Sequence, residues 1–169
     1  VDDSVLAIIH FGEMLALESD PESRDAAQRM YDMAAERIEK LPLGPDDFIG
    51  IPETILVLLG KQEEASQLLS ARLKSSNPTW KEELLRFLAD PEREPNELLA
   101  AVAPNSYNEV MARKLIALRY LSRGETEPAA EQFQACRQIN YYLPDSYWAS
   151  AYLRRLKTDP DWLEWLETR

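Results

Sequence analysis

The chain has 169 residues, 45% of them hydrophobic and 29% charged, enough for one domain or a short array with a continuous apolar core. Its 19 Lys and Arg against 30 Asp and Glu give a net charge of -11, which repels phosphate backbones and anionic lipid surfaces and argues against nucleic-acid or membrane partners. The single cysteine, Cys136, has no intrachain partner for a disulfide, and the most apolar stretches, VLAIIHFGEMLAL and IPETILVLLG, are too short or too interrupted by Glu and Pro to cross a membrane.

The chain begins at Val1 without an initiator Met, which reads as a fragment or processed product of a longer protein. In the first predicted helix Val5, Leu6, Ile8, Ile9, Phe11, Met14, Leu15 and Leu17 spread around most of the circumference, a pattern that calls for cover on the outer side. A further repeat, a second copy of the chain or the next hairpin would supply it. Val5, Leu6, Ile9 and Phe11 are therefore a candidate end-face interface for a homodimer or a neighbouring domain. Asp20 followed by Pro21 marks the next helix start, with an N-cap ahead of proline at the first helical position, and Ala27, Tyr31 and Ala34 share the inner face of that helix. After the break LPLGPDD, Gly60 is a hinge preceded by Leu56 and followed by Ala65 and Leu69. Past SSNPT, Thr79 with Glu82 has capping-box spacing and opens WKEELLRFLAD; DPEREP separates this helix from NELLAAVA. Ser106 with Glu109 has the same spacing and opens a helix ending at a second hinge, Gly124, with Ala117 and Tyr120 before it and Ala129, Phe133 and Cys136 after it. Trp148, Tyr152, Leu153 and Leu156 follow YYLP, and Asp159-Pro160 starts a last helix with Trp162, Trp165 and Leu166 on one face, suited to a solvated cap. No run alternates with period two. The fold is read as all-α, roughly ten helical segments whose short connections force antiparallel neighbours.

Residues 107–140 carry the most regular pattern: a small residue, an aromatic, a glycine, an alanine, an aromatic and a small residue, each spaced to fall on an inner helix face. This order resembles a tetratricopeptide repeat. A weaker copy surrounds Gly60, where Glu53 stands in place of the small residue, and only the second helix of the first hairpin matches. The resemblance implies an α-solenoid of about four to five helical hairpins, with units at 4–41, 46–76, 79–103 and 106–140 and capping helices at 144–169. It also implies a concave groove lined by the first helix of each pair, which would hold a peptide or protein segment. On this sequence those positions are Met111, Lys114, Leu118, Leu121 and Ser122 in the best unit and Asp47, Thr54, Val57 and Leu58 in the weaker one. Family members that grip a C-terminal carboxylate do so through Asn and Lys where this chain has Leu118 and Ser122, so that activity is not carried over. The groove would select apolar side chains, with Lys114 its fixed positive charge; the alternative is that Leu118 and Leu121 pack against the adjacent hairpin.

Seven of the eleven Tyr and Trp residues lie between 141 and 165, a cluster suited to binding but better explained as the filling of the last inter-helix core.

Catalytic chemistry has little to build on. His10 is the only histidine, which excludes paired-histidine metal motifs within this chain, and its HFGE context falls short of the carboxylates and histidines from several helices that a helical di-iron site needs. Cys136 sits at a small-residue position of an inner face, and the five glycines form no phosphate loop. No cofactor, metal or catalytic residue is assigned. The favoured function is a non-catalytic protein-interaction scaffold, an accessory or regulatory part of a larger protein. A helical-shell enzyme with a site around His10 and an architectural spacer are the alternatives.

Overall fold

A computed structural model describes residues 3–18, 20–40, 56–57, 59–73, 79–139 and 144–159. These form eight helices: α1 (Asp3–Ala16), α2 (Pro21–Lys40), α3 (Gln62–Arg72), α4 (Trp80–Ala89), α5 (Pro95–Val102), α6 (Ser106–Leu121), α7 (Thr126–Gln138) and α8 (Pro144–Thr158). No strand occurs among the described residues. The final capping helix expected over 160–169 lies outside them.

Two of the helix starts follow the caps read from the sequence. Asp20 Oδ1 accepts a hydrogen bond from the Ser23 amide at 2.8 Å, just ahead of Pro21. Thr79 and Glu82 form the reciprocal capping box, with each side chain accepting from the other's backbone amide. The start of α6 differs. Asn105, not Ser106, is the cap, its Oδ1 accepting from the amides of Tyr107 and Asn108 at 2.9 and 3.3 Å. The asparagine one residue upstream takes the orphan donors, so Ser106 becomes the first helical residue and Glu109 pairs with Arg113 instead.

The two glycine hinges are built alike. Gly60 has φ 71° and Gly124 φ 74°, the left-handed conformation that L residues with a Cβ avoid. At the first, the amides of Gly60 and Lys61 donate to the carbonyls of Val57 and Leu56; at the second, those of Gly124 and Glu125 donate to Leu121 and Tyr120. Both are Schellman closures, in which the two amides past the turn satisfy carbonyls that a helix end leaves open. Five residues beyond each glycine lies an alanine, Ala65 or Ala129, with no exposed surface, and one turn further Leu69 or Phe133, equally buried. Ala27 and Tyr31 hold the same places on α2, at 0% and 6% exposure. A hydrogen bond 2.6 Å long from Lys61 to Gln28 links α2 to the first hinge.

Each helix packs against its chain neighbour within the pairs α1 with α2, α3 with α4, α4 with α5, α5 with α6, α6 with α7 and α7 with α8. In addition α4 touches α6 and α6 touches α8. The main core runs through Ala27, Leu56, Ala65, Phe87, Ala117 and Ala129 and reaches α8, where Tyr152 stacks on Phe133 with ring centroids 4.7 Å apart. Cys136 is buried in it, near enough to donate its thiol to the Val110 carbonyl. Val5, Ile9 and Ala34 make a separate small cluster between α1 and α2.

A methyl group added at Gly124 would meet nothing within 4 Å, so the effect of Gly124→Ala isolates the backbone conformation. Forcing an L residue into that φ should cost about 1 kcal/mol. Urea denaturation should show a lower midpoint at unchanged m-value, with Gly124→Asn less affected.

Candidate functional site

Two buried polar constellations punctuate this apolar interior. The first joins three helices that are far apart in sequence. Glu13 of α1 is 4% exposed, and Lys114 of α6 is 8% exposed. Lys114 Nζ lies 2.9 Å from Glu13 Oε1 and 3.2 Å from Oε2, and Tyr152 of α8 donates its hydroxyl to Oε1 at 2.8 Å. Lys114 Nζ also lies 5.6 Å from the centroid of the Trp148 ring, on whose face His10 of α1 stacks at 5.7 Å. His10 Nδ1 is 3.9 Å from Glu13 Oε2, too far for a hydrogen bond, and is buried without a partner although the side chain is half-exposed.

Burial alone pushes the Glu13 carboxyl up, but the Lys114 charge, the neighbouring His10 imidazole and the hydrogen bonds from Lys114 and Tyr152 outweigh it and hold the group below the usual carboxylate value. Glu13 is therefore ionised at neutral pH, and its ion pair is satisfied on both sides.

The second constellation is a clamp. Arg119, 4% exposed, donates to the carbonyls of Phe87 and Asp90 at 3.2 and 3.1 Å and also to that of Arg93. Its guanidinium lies over the Phe87 ring, 3.5 Å from the centroid. These carbonyls belong to the C-terminal end of α4 and the turn after it, where a helix leaves acceptors unmet. Burial, then the like charge of Arg123, lowers Arg119 to about 10, so it stays protonated at neutral pH. Beside it a crevice of about 390 Å3 is lined by Arg93, Glu94, Arg119, Tyr120 and Arg123.

The structure separates the groove residues read from the sequence. Lys114 faces α1 and α8, Leu118, Leu121 and Val57 belong to the main core, and Met111 is half-buried against that core. The Ser122 hydroxyl donates to the Arg119 carbonyl. Asp47, Thr54 and Leu58 lie outside the described residues. Of the end-face residues, Val5 and Ile9 are covered by α2 through Ala34, Phe11 is 51% exposed, and the side chain of Leu6 is outside the described set. Met14 is 53% exposed on the same face of α1 as Phe11, and Tyr147 is 60% exposed on α8. The meeting of Glu13 with Lys114 and Tyr152 was not foreseen. The available signal was that Glu13 is the sole charged residue between Ser4 and Leu17, and so a carboxylate bound to be enclosed with its helix.

Among the described residues no three His, Cys, Asp or Glu side chains are grouped as a metal site, and no helix is long and apolar enough to cross a membrane. Comparison with protein-family models, curated proteins and solved structures finds no match to this chain.

Because the folded-state Glu13 carboxyl is depressed, its stabilisation is fully present above the unfolded-state value of about 4.3 and is lost as pH falls through the lower folded-state value. Glu13→Gln removes the charge that Lys114 and Tyr152 both engage and should cost about 3 kcal/mol at neutral pH. Urea titrations at a series of pH values should show this difference shrinking steadily once the solution is more acidic than the unfolded-state value.

Proposed function

We propose that the chain is a non-catalytic α-solenoid module of the tetratricopeptide type that holds an apolar peptide or protein segment against the face formed by α6 and α8. The observation that carries this reading is the repetition of one hairpin design. Gly60 and Gly124 share a backbone conformation and a pair of closing hydrogen bonds, and each is followed by a buried alanine and a buried large side chain at identical offsets. Repeats of this kind bury a core only by stacking, and stacking aligns the first helices of successive pairs into an extended surface. The contacts of α4 with α6 and of α6 with α8 are consistent with that alignment.

Within that face Lys114 is the fixed cation, 8% exposed and engaged by Glu13 of α1, with Trp148 and Tyr152 beside it. Aromatic rings next to a desolvated charge are the composition of binding hot spots. The rival reading, a reaction centre around His10, is less well supported because Glu13, its nearest carboxylate, is already engaged by Lys114 and Tyr152.

A displayed random-peptide library selected on the immobilised chain should yield a family of apolar sequences that bind saturably. Met111→Gln, on the same helix face, should weaken them at least about tenfold while helicity is unchanged. Enrichment no greater than on an unrelated helical protein, or equal binding to the Met111→Gln chain, would contradict the reading.

A further inference from the structure

The end of α4 is closed differently from the helix ends at Gly60 and Gly124. Asp90 caps the helix, its amide donating to the Arg86 carbonyl. Pro91 follows, with neither the N–H nor the left-handed freedom that the glycine closures use, so a Schellman turn is not available there. Side chains from two other helices meet the open carbonyls instead. From α3, Gln62 Nε2 donates to the Leu88 carbonyl at 2.6 Å, and the Ser66 hydroxyl donates to that of Ala89. From α6, Arg119 donates to the carbonyls of Phe87, Asp90 and Arg93, and Arg123 donates to that of Pro91. One stretch of backbone is thus gripped from both sides.

We infer that the end of α4 is a coupling joint, through which α3 and α6 set each other's position, with Arg119 as the positioning residue on the α6 side. Both helices pack on α4, and apolar packing alone lets such helices slide by small amounts. The hydrogen bonds do not allow this, because a buried carbonyl that loses its donor bears the full cost of desolvation. The acceptors interleave along the chain: Leu88 and Ala89, held from α3, lie between Phe87 and Asp90, held by Arg119. Peptide planes are rigid, so a shift of the first pair displaces the second. The Arg119 guanidinium is planar, 4% exposed and stacked on the Phe87 ring, which leaves it little freedom to follow. A disturbance of α3 therefore reaches α6 through the α4 terminus, whatever the α6–α8 face binds.

Hydrogen exchange on the full chain tests the joint. Ser66→Ala and Gln62→Ala each remove a donor that reaches α4 and not α6. In both variants the α6 amides from Leu115 to Leu121 should exchange at least about threefold faster than in the parent chain. Gln67→Ala, at an exposed position of α3, should leave them unchanged. A double-mutant cycle by urea denaturation gives the reciprocal reading. Arg119→Lys keeps the charge and loses the planar fork, so part of the grip is already gone when Ser66→Ala is added. The combined change in the unfolding equilibrium constant should fall short of the product of the single changes by at least about threefold. Unchanged α6 exchange in the two α3 variants, or additive effects in the cycle, would overturn the proposal and leave two independent sets of helix-end hydrogen bonds. If Arg119→Lys does not fold, the exchange comparison decides by itself.

Discussion

The packing is governed by how closely paired helices can approach, and three methyl groups set that distance. Ala27, Ala65 and Ala129 have no exposed surface and lie on α2, α3 and α7. A side chain this small lets the opposing backbone come near, because interaxial distance follows the size of the residues at the contact. One turn further, Tyr31, Leu69 and Phe133 fill the widening gap and carry the core onward. The Phe133 ring does so directly, lying parallel to Tyr152 of α8. The Gly124 hinge serves the same end, since the reversal there brings α7 back against α6.

Apolar packing of this kind fixes distance better than it fixes register, and the buried polar groups complement it. Arg119 collects three carbonyls from the end of α4 and its following turn, which ties one hairpin to the next helix at a defined height. The Glu13, Lys114 and Tyr152 contacts do the same between α1 and the α6–α8 face. Such groups add little net stability compared with a well-packed apolar substitute, because the desolvation of two charges nearly cancels their attraction. Breaking one partner away is costly all the same. Their effect is to penalise wrong arrangements of the helices.

Much of the architecture was legible because it is local. Capping by Asp20 and Thr79, the hinges at Gly60 and Gly124 and the burial of Ala65 and Ala129 all depend on residues within a few positions of each other. The cap of α6 was misplaced by one residue because Asn105 and Ser106 are both competent and the sequence does not rank them. The site was less legible. Lys114 was singled out as the cation of the α6 face, yet spacing along a helix says nothing of what covers it, and Glu13 lies 101 residues away. Leu118 and Leu121 have the helical phase of a groove but are enclosed in the core, since phase alone does not separate a concave face from an inter-helix contact.

Substitution at the nested alanines tests the account most directly. Ala129→Leu should lower the unfolding free energy by about 1–3 kcal/mol, because the helices would have to separate to admit the larger side chain. Ala101→Leu, at an exposed position of α5, should change it by no more than about 0.5 kcal/mol. If urea denaturation found Ala129→Leu as stable as the parent chain, the close approach would not exist and the stacked-hairpin description would be wrong.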